Sequence, residues 1–232
     1  MVSSARSELR MRVLTAVSAA ALWLANAAGA ADWTVKMASR EPPKELDPAI
    51  RATLQSQAVQ LLEEGKVAYE IWFVTELPAT AKPSSPSKAL DTLKQATLLG
   101  AVSVPSDRRD YRDDALPAGV YTARFALQPQ DGNHSGTSDF VYFAVLIPAK
   151  FDPRPDGIKE YKPMVKASSR ETSNDHPMIL SLRPVASADG ELPRIEDPAP
   201  EHKAVRVQVP AQAGGDKTSL VFDLVFEGMV KK

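Results

Sequence analysis

Alternation with a period of two governs the last third of this chain. Val205, Val207 and Val209 alternate with polar neighbours, Gly214-Gly215-Asp216 turns the chain, and Leu220, Phe222, Leu224 and Phe226 alternate back. Successive strand residues point to opposite faces, whereas a helix needs apolar residues every third or fourth position, so this spacing specifies a hairpin. The pattern recurs upstream. Residues 58–62 and 67–75 flank Glu63-Glu64-Gly65-Lys66, a hairpin turn, with Val67, Tyr69, Ile71 and Phe73 on one face and Glu70, Trp72 and Val74 on the other. Residues 98–104, 122–127 and 178–182 read as further strands. Residues 140–147, FVYFAVLI, contain no polar side chain and specify a central strand covered on both faces.

Helix signals are few. Asp47-Pro48 caps a short helix from Ala49 to about Gln55, and residues 163–169 form one or two turns. The 19 prolines outnumber the 11 glycines and punctuate many short elements. Residues 78–88, PATAKPSSPSK, are a long surface loop within one domain. The expected fold class is therefore all-β, an immunoglobulin/fibronectin-like or jelly-roll-type β-sandwich with one or two short helices. Leu116-Pro117-Ala118-Gly119-Val120-Tyr121 resembles the tyrosine corner of such sandwiches, in which a strand-start tyrosine hydrogen-bonds back across the corner between sheets.

The first 30 residues read as an address rather than as fold. Arg6, Arg10 and Arg12 precede an uncharged stretch from Val13 to Ala30, and Ala28-Gly29-Ala30 supplies the small residues that signal peptidase reads. A membrane anchor is the competing reading, but the stretch is short and interrupted by Thr15, Ser18 and Asn26. The expectation is an exported protein, periplasmic or extracellular, with residues 31–232 as one domain and no transmembrane segment after cleavage. The absence of cysteine excludes disulfides, thiolate metal sites, a cysteine nucleophile and a lipid anchor on cysteine. A net charge of −1 supplies no basic field for nucleic acid.

Chemistry-bearing residues are sparse. Asp131, His134 and Asp139 share a polar loop between two strands, and Asp175-His176 precedes another strand. If the two loops share an end of the sheets, His134, His176 and Asp131 can offer nitrogen and carboxylate ligands to a divalent metal, although no recognised ligand spacing is present. The simpler reading is that Asp-Gly-Asn and Ser-Gly form turns. Gly132-Asn133-His134-Ser135-Gly136 places serine fourth, not third, and fails the nucleophile-elbow pattern. Residues 106–114, SDRRDYRDD, interleave arginine with acid, which argues for ion pairs rather than calcium, with Tyr111 and Arg112 as candidate contacts to an anionic ligand. Trp33, Trp72 and Tyr69 form either a sugar-stacking platform or, more in keeping with their strand positions, core.

Glu70-Ile71-Trp72, Leu98-Leu99-Gly100, Asp110-Tyr111-Arg112, Gly119-Val120-Tyr121-Thr122, Gln128-Pro129-Gln130-Asp131-Gly132 with His134 and Gly136, and His176-Pro177 together resemble an uncharacterised family of exported bacterial β-rich proteins, over about residues 66–184. The resemblance implies an envelope location and a β-rich fold, and brings no activity, cofactor or catalytic residue. The reading that follows is a non-enzymatic module binding a protein or glycan of the cell envelope, without a cofactor. The alternatives are a metal-binding protein or metal-dependent enzyme built on His134 and His176, and a structural envelope module.

Overall fold

The structure, a computed structural model, describes residues 31–129, 141–172 and 176–228. Its strands are β1 (Trp33–Ser39), β2 (Gln57–Glu63), β3 (Lys66–Phe73), β4 (Leu77–Ala79), β5 (Leu98–Val104), β6 (Arg108–Arg109), β7 (Ala115–Leu116), β8 (Gly119–Leu127), β9 (Tyr142–Pro148), β10 (Met178–Pro184), β11 (Arg194–Glu196), β12 (Lys203–Ala213) and β13 (Asp216–Glu227). Two short helices accompany them, α1 (Pro48–Arg51) and α2 (Tyr161–Ser168). The protein is all-β, as the period-two patterning requires. Among the described residues no helix is long and apolar enough to cross a membrane.

The strands do not form two facing sheets. One eleven-stranded sheet runs in the order β1-β2-β3-β5-β8-β9-β10-β13-β12-β11, with antiparallel neighbours throughout that path, and β4 joins β12 in parallel. The expected sandwich is thus a near-barrel. Strand twist accumulates along an antiparallel meander and coils it until its ends approach. Here β4, four residues beyond the end of β3, crosses to the far edge and pairs Leu77 with Ala211. The ribbon β6–β7 stands apart as a separate two-stranded sheet.

Alternating side chains of β3, β8, β9, β10, β12 and β13 fill the interior, among them Tyr69, Ile71, Phe125, Leu146, Leu180, Val207 and Phe222. The opposite faces of β9 and β10 are covered too. Phe143, Val145, Ile147 and Ile179 pack beneath Met164 and Ala167 of α2, with Phe151, Ile158 and Tyr161 against them. This outer layer, residues 149–172, is why β9 is apolar on both faces. Trp33, Trp72 and Tyr69 are all buried, so they form no exposed sugar-stacking platform.

Local chemistry fixes the corners. Asp47 caps α1 by accepting the Ala49 N–H at 2.8 Å, although the helix ends at Arg51, earlier than its expected end near Gln55. Glu64 and Gly65, at φ of 48° and 77°, make the two-residue turn between β2 and β3. The Tyr121 hydroxyl donates to the Pro117 carbonyl at 2.7 Å, which is the back-bond of a tyrosine corner.

Candidate functional site

A buried arginine organises the structure around a cleft. Arg124 lies on the outer face of β8, under the 149–172 layer, and its side chain is 1% exposed. Two nitrogens grip Asp152, Nε to Oδ2 at 2.7 Å and Nη2 to Oδ1 at 2.8 Å, a bidentate pair. Thr122 adds its hydroxyl to Asp152 Oδ2 at 2.5 Å. The remaining donors reach backbone carbonyls: Ala96 at 2.9 Å, Arg154 at 2.8 Å, Pro155 at 3.0 Å and Ile158 at 3.4 Å. One guanidinium therefore ties the segment before β5 to the segment after β9.

Those two segments form walls of a cleft of about 750 Å³, completed by residues 52–53 and 74–78. That volume falls in the range of small-ligand sites, about 300–1,000 Å³. The wall before β5 is shaped by Ala96, whose φ of 65° bends the chain. Its N–H bonds the Phe125 carbonyl at 2.8 Å while its own carbonyl takes the Arg124 donor. Left-handed backbone at an alanine stores strain of order 1 kcal/mol and persists where surrounding bonds fix it. Thr75 donates its N–H to the Thr53 carbonyl at 2.8 Å and fixes the opposite side.

The lining carries both charges, Lys94 and Lys159 with Glu76 and Asp156, over an apolar floor that includes Val74, Leu98 and Ile158. Gln95 adds an amide whose oxygen accepts the Leu127 N–H at 3.0 Å and whose buried Nε2 has no partner. A buried amide donor left unpaired costs about 1–3 kcal/mol. Among the described residues, no group of three His, Asp or Glu side chains is close enough to hold a metal.

Of the residues singled out in the sequence, Tyr111, Arg112 and His176 lie away from this cleft. Asp131, His134, Asp139 and Asp175 fall outside the described residues. The strand ends flanking the first loop, Leu127 and Tyr142, pair with each other, whereas Met178, just after His176, pairs with Leu146 towards the opposite end of β9. His176 is exposed. Tyr111 and Arg112 sit at the tip of the β6–β7 ribbon, at the same end of the sheet as His176. The Tyr111 ring is core, 6.5 Å from the Phe143 centroid and 5.8 Å from that of His202. Arg112 faces Asp114 at 3.9 Å, in keeping with the expected pairing of arginine and acid in this loop.

Asp110 anchors that tip. Its carboxylate accepts backbone N–H bonds from Arg112 at 2.8 Å, Asp114 at 3.0 Å and Ile179 at 2.9 Å. Burial nevertheless pushes its pKa from 3.8 up to about 6, against the pull of those three bonds. A carboxyl whose folded pKa is raised favours the native state when protonated, so its stabilising contribution is fully present below about pH 4 and lost as pH rises through 6. Compared with Asp110→Asn, the wild type should gain of order 2 kcal/mol between pH 7 and pH 4, read from denaturant midpoints across that range. Parallel pH profiles for the two proteins would contradict the assignment.

The cleft residues carry no sequence motif, and the one available signal was Arg124 on a strand beside the doubly covered β9. Comparisons of the chain with protein-family models, with curated proteins and with solved structures find no match.

Proposed function

We propose that the chain is an exported, non-enzymatic module that holds a short peptide segment of an envelope protein in this cleft. The observation that carries the reading is the lining, an apolar floor with both signs of charge around it. An extended peptide presents matching groups, namely apolar side chains and charges of both signs. Sugars are usually held against aromatic faces, and none of the residues lining this cleft is aromatic. Export is supported by the basic, then apolar, then small-residue order of residues 1–30.

The test is selection from a displayed peptide library against the whole mature chain, followed by affinity measurement. Lys159→Glu reverses one exposed charge of the lining. It should weaken the selected peptides about tenfold or more while leaving the thermal midpoint within a few degrees. A selection that enriches nothing, or peptides indifferent to this substitution, would count against the cleft as the binding site.

A further inference from the structure

At the end of the barrel opposite the cleft, Trp33 of β1, Tyr69 of β3 and Phe226 of β13 converge. The Trp33 and Phe226 ring centroids are 4.6 Å apart and those of Tyr69 and Phe226 are 5.9 Å apart. Arg108, from the separate β6–β7 ribbon, places its guanidinium carbon 5.6 Å from the Trp33 centroid and 5.2 Å from that of Tyr69. The same guanidinium meets Glu63 at 2.7 Å. The charges of Glu227, Glu63 and Asp110 join burial, the larger effect, in raising the Tyr69 hydroxyl above the usual range against the opposing pull of Arg108. Aromatic faces backed by carboxylates attract a cation, and quaternary ammonium groups are recognised in this way.

Arg108 is an imperfect occupant. Its Nε–H and the Trp33 Nε1–H are both buried without an acceptor, although the Trp33 residue is only 7% exposed. Each such donor costs about 1–3 kcal/mol. A quaternary ammonium has no N–H to strand, and a hydroxyl carried beside it would supply the acceptor that Trp33 lacks. Arg108 sits outside the main sheet, so it can leave the rings without breaking a ladder of that sheet.

From this arrangement we infer that the aromatic end of the barrel is a recognition site for a hydroxylated quaternary ammonium group of the choline type, kept filled by Arg108 until such a ligand displaces it. The probe is choline chloride, titrated into the whole mature chain against matched sodium chloride, with the Trp33 indole N–H resonance as the readout. A saturable shift is expected in the wild type at millimolar choline, with tetramethylammonium binding more weakly because it offers no acceptor. Arg108→Ala should tighten choline about tenfold, and Arg108→Gln serves as the second variant should the alanine protein fail to fold. Glu63→Gln, introduced alongside either replacement, should reverse that gain. An indole resonance that stays unmoved by choline in the wild type, or a folded Arg108 variant that binds no better, would overturn the inference.

Discussion

Asp152→Ala is expected to destabilise the protein by about 3–5 kcal/mol, the cost of leaving a buried charge without its partner. The substitution strands Arg124, whose side chain is 1% exposed and whose Nε and Nη2 both rely on Asp152. It also removes the acceptor of the Thr122 hydroxyl. Domains of this size are stable by about 5–15 kcal/mol, so the loss is a large share of the total. A thermal midpoint lower by about 10 °C is the corresponding shift. The double variant Arg124→Met with Asp152→Leu should lose less than the sum of Arg124→Met and Asp152→Leu alone, because neither charge is then stranded. Denaturant unfolding of the four proteins in a cycle checks this, and strict additivity would mean that the pair is not coupled.

Gly100→Ala should cost about 3 kcal/mol by a different route. A methyl group on Gly100 would lie 2.1 Å from the Trp72 carbonyl oxygen and 2.9 Å from the Phe73 Cα. Both are backbone atoms of β3, the strand that pairs with β5 at this point, so no side chain can swing aside. The register between β5 and β8 also shifts between Leu98 and Gly100, which already uses up local adjustment. Relief would have to come from parting the ladder, and overpacking of this kind costs about 1–3 kcal/mol or more. Gly119→Ala is the control: its nearest neighbour would be the Tyr121 ring at 3.5 Å, an ordinary contact, and a change within about 1 kcal/mol is expected. Equal losses at the two glycines, at unchanged denaturant dependence, would contradict the steric account.

The strands were legible where one face meets the core and the other does not. β12 and β13, the turn at Glu64-Gly65 and the corner at Tyr121 each follow from period-two spacing and turn chemistry within about twenty residues of chain. The coverage of β9 on both faces was legible as well, because only a doubly buried strand tolerates a run such as Phe143 to Ile147 without a polar residue. Closure into a near-barrel was not. It depends on β4, whose last two residues lie in the stretch that composition marks as loop, pairing with a strand more than a hundred residues away. No local pattern encodes such a partner.

The cleft was hidden for the same reason. Its walls come from residues 52–53, 74–78, 94–98 and 155–159, which share no motif. Arg124 alternates with apolar neighbours exactly as a solvent-facing residue would, and only the 149–172 layer makes that face an interior. Histidine drew attention instead because it is rare and chemically versatile. Yet His176 is exposed, and His202, which no motif marked, packs against Tyr111.

Arg124 ties two walls of the cleft, the segments before β5 and after β9, to the barrel. Amide hydrogen exchange on the Arg124→Met, Asp152→Leu double variant tests it most directly, with protection followed by segment. Faster exchange is expected in residues 94–98 and 152–160 together, while β9, β10, β12 and β13 keep wild-type protection. Walls that retain full protection without the guanidinium, or a barrel that opens along with them, would contradict it.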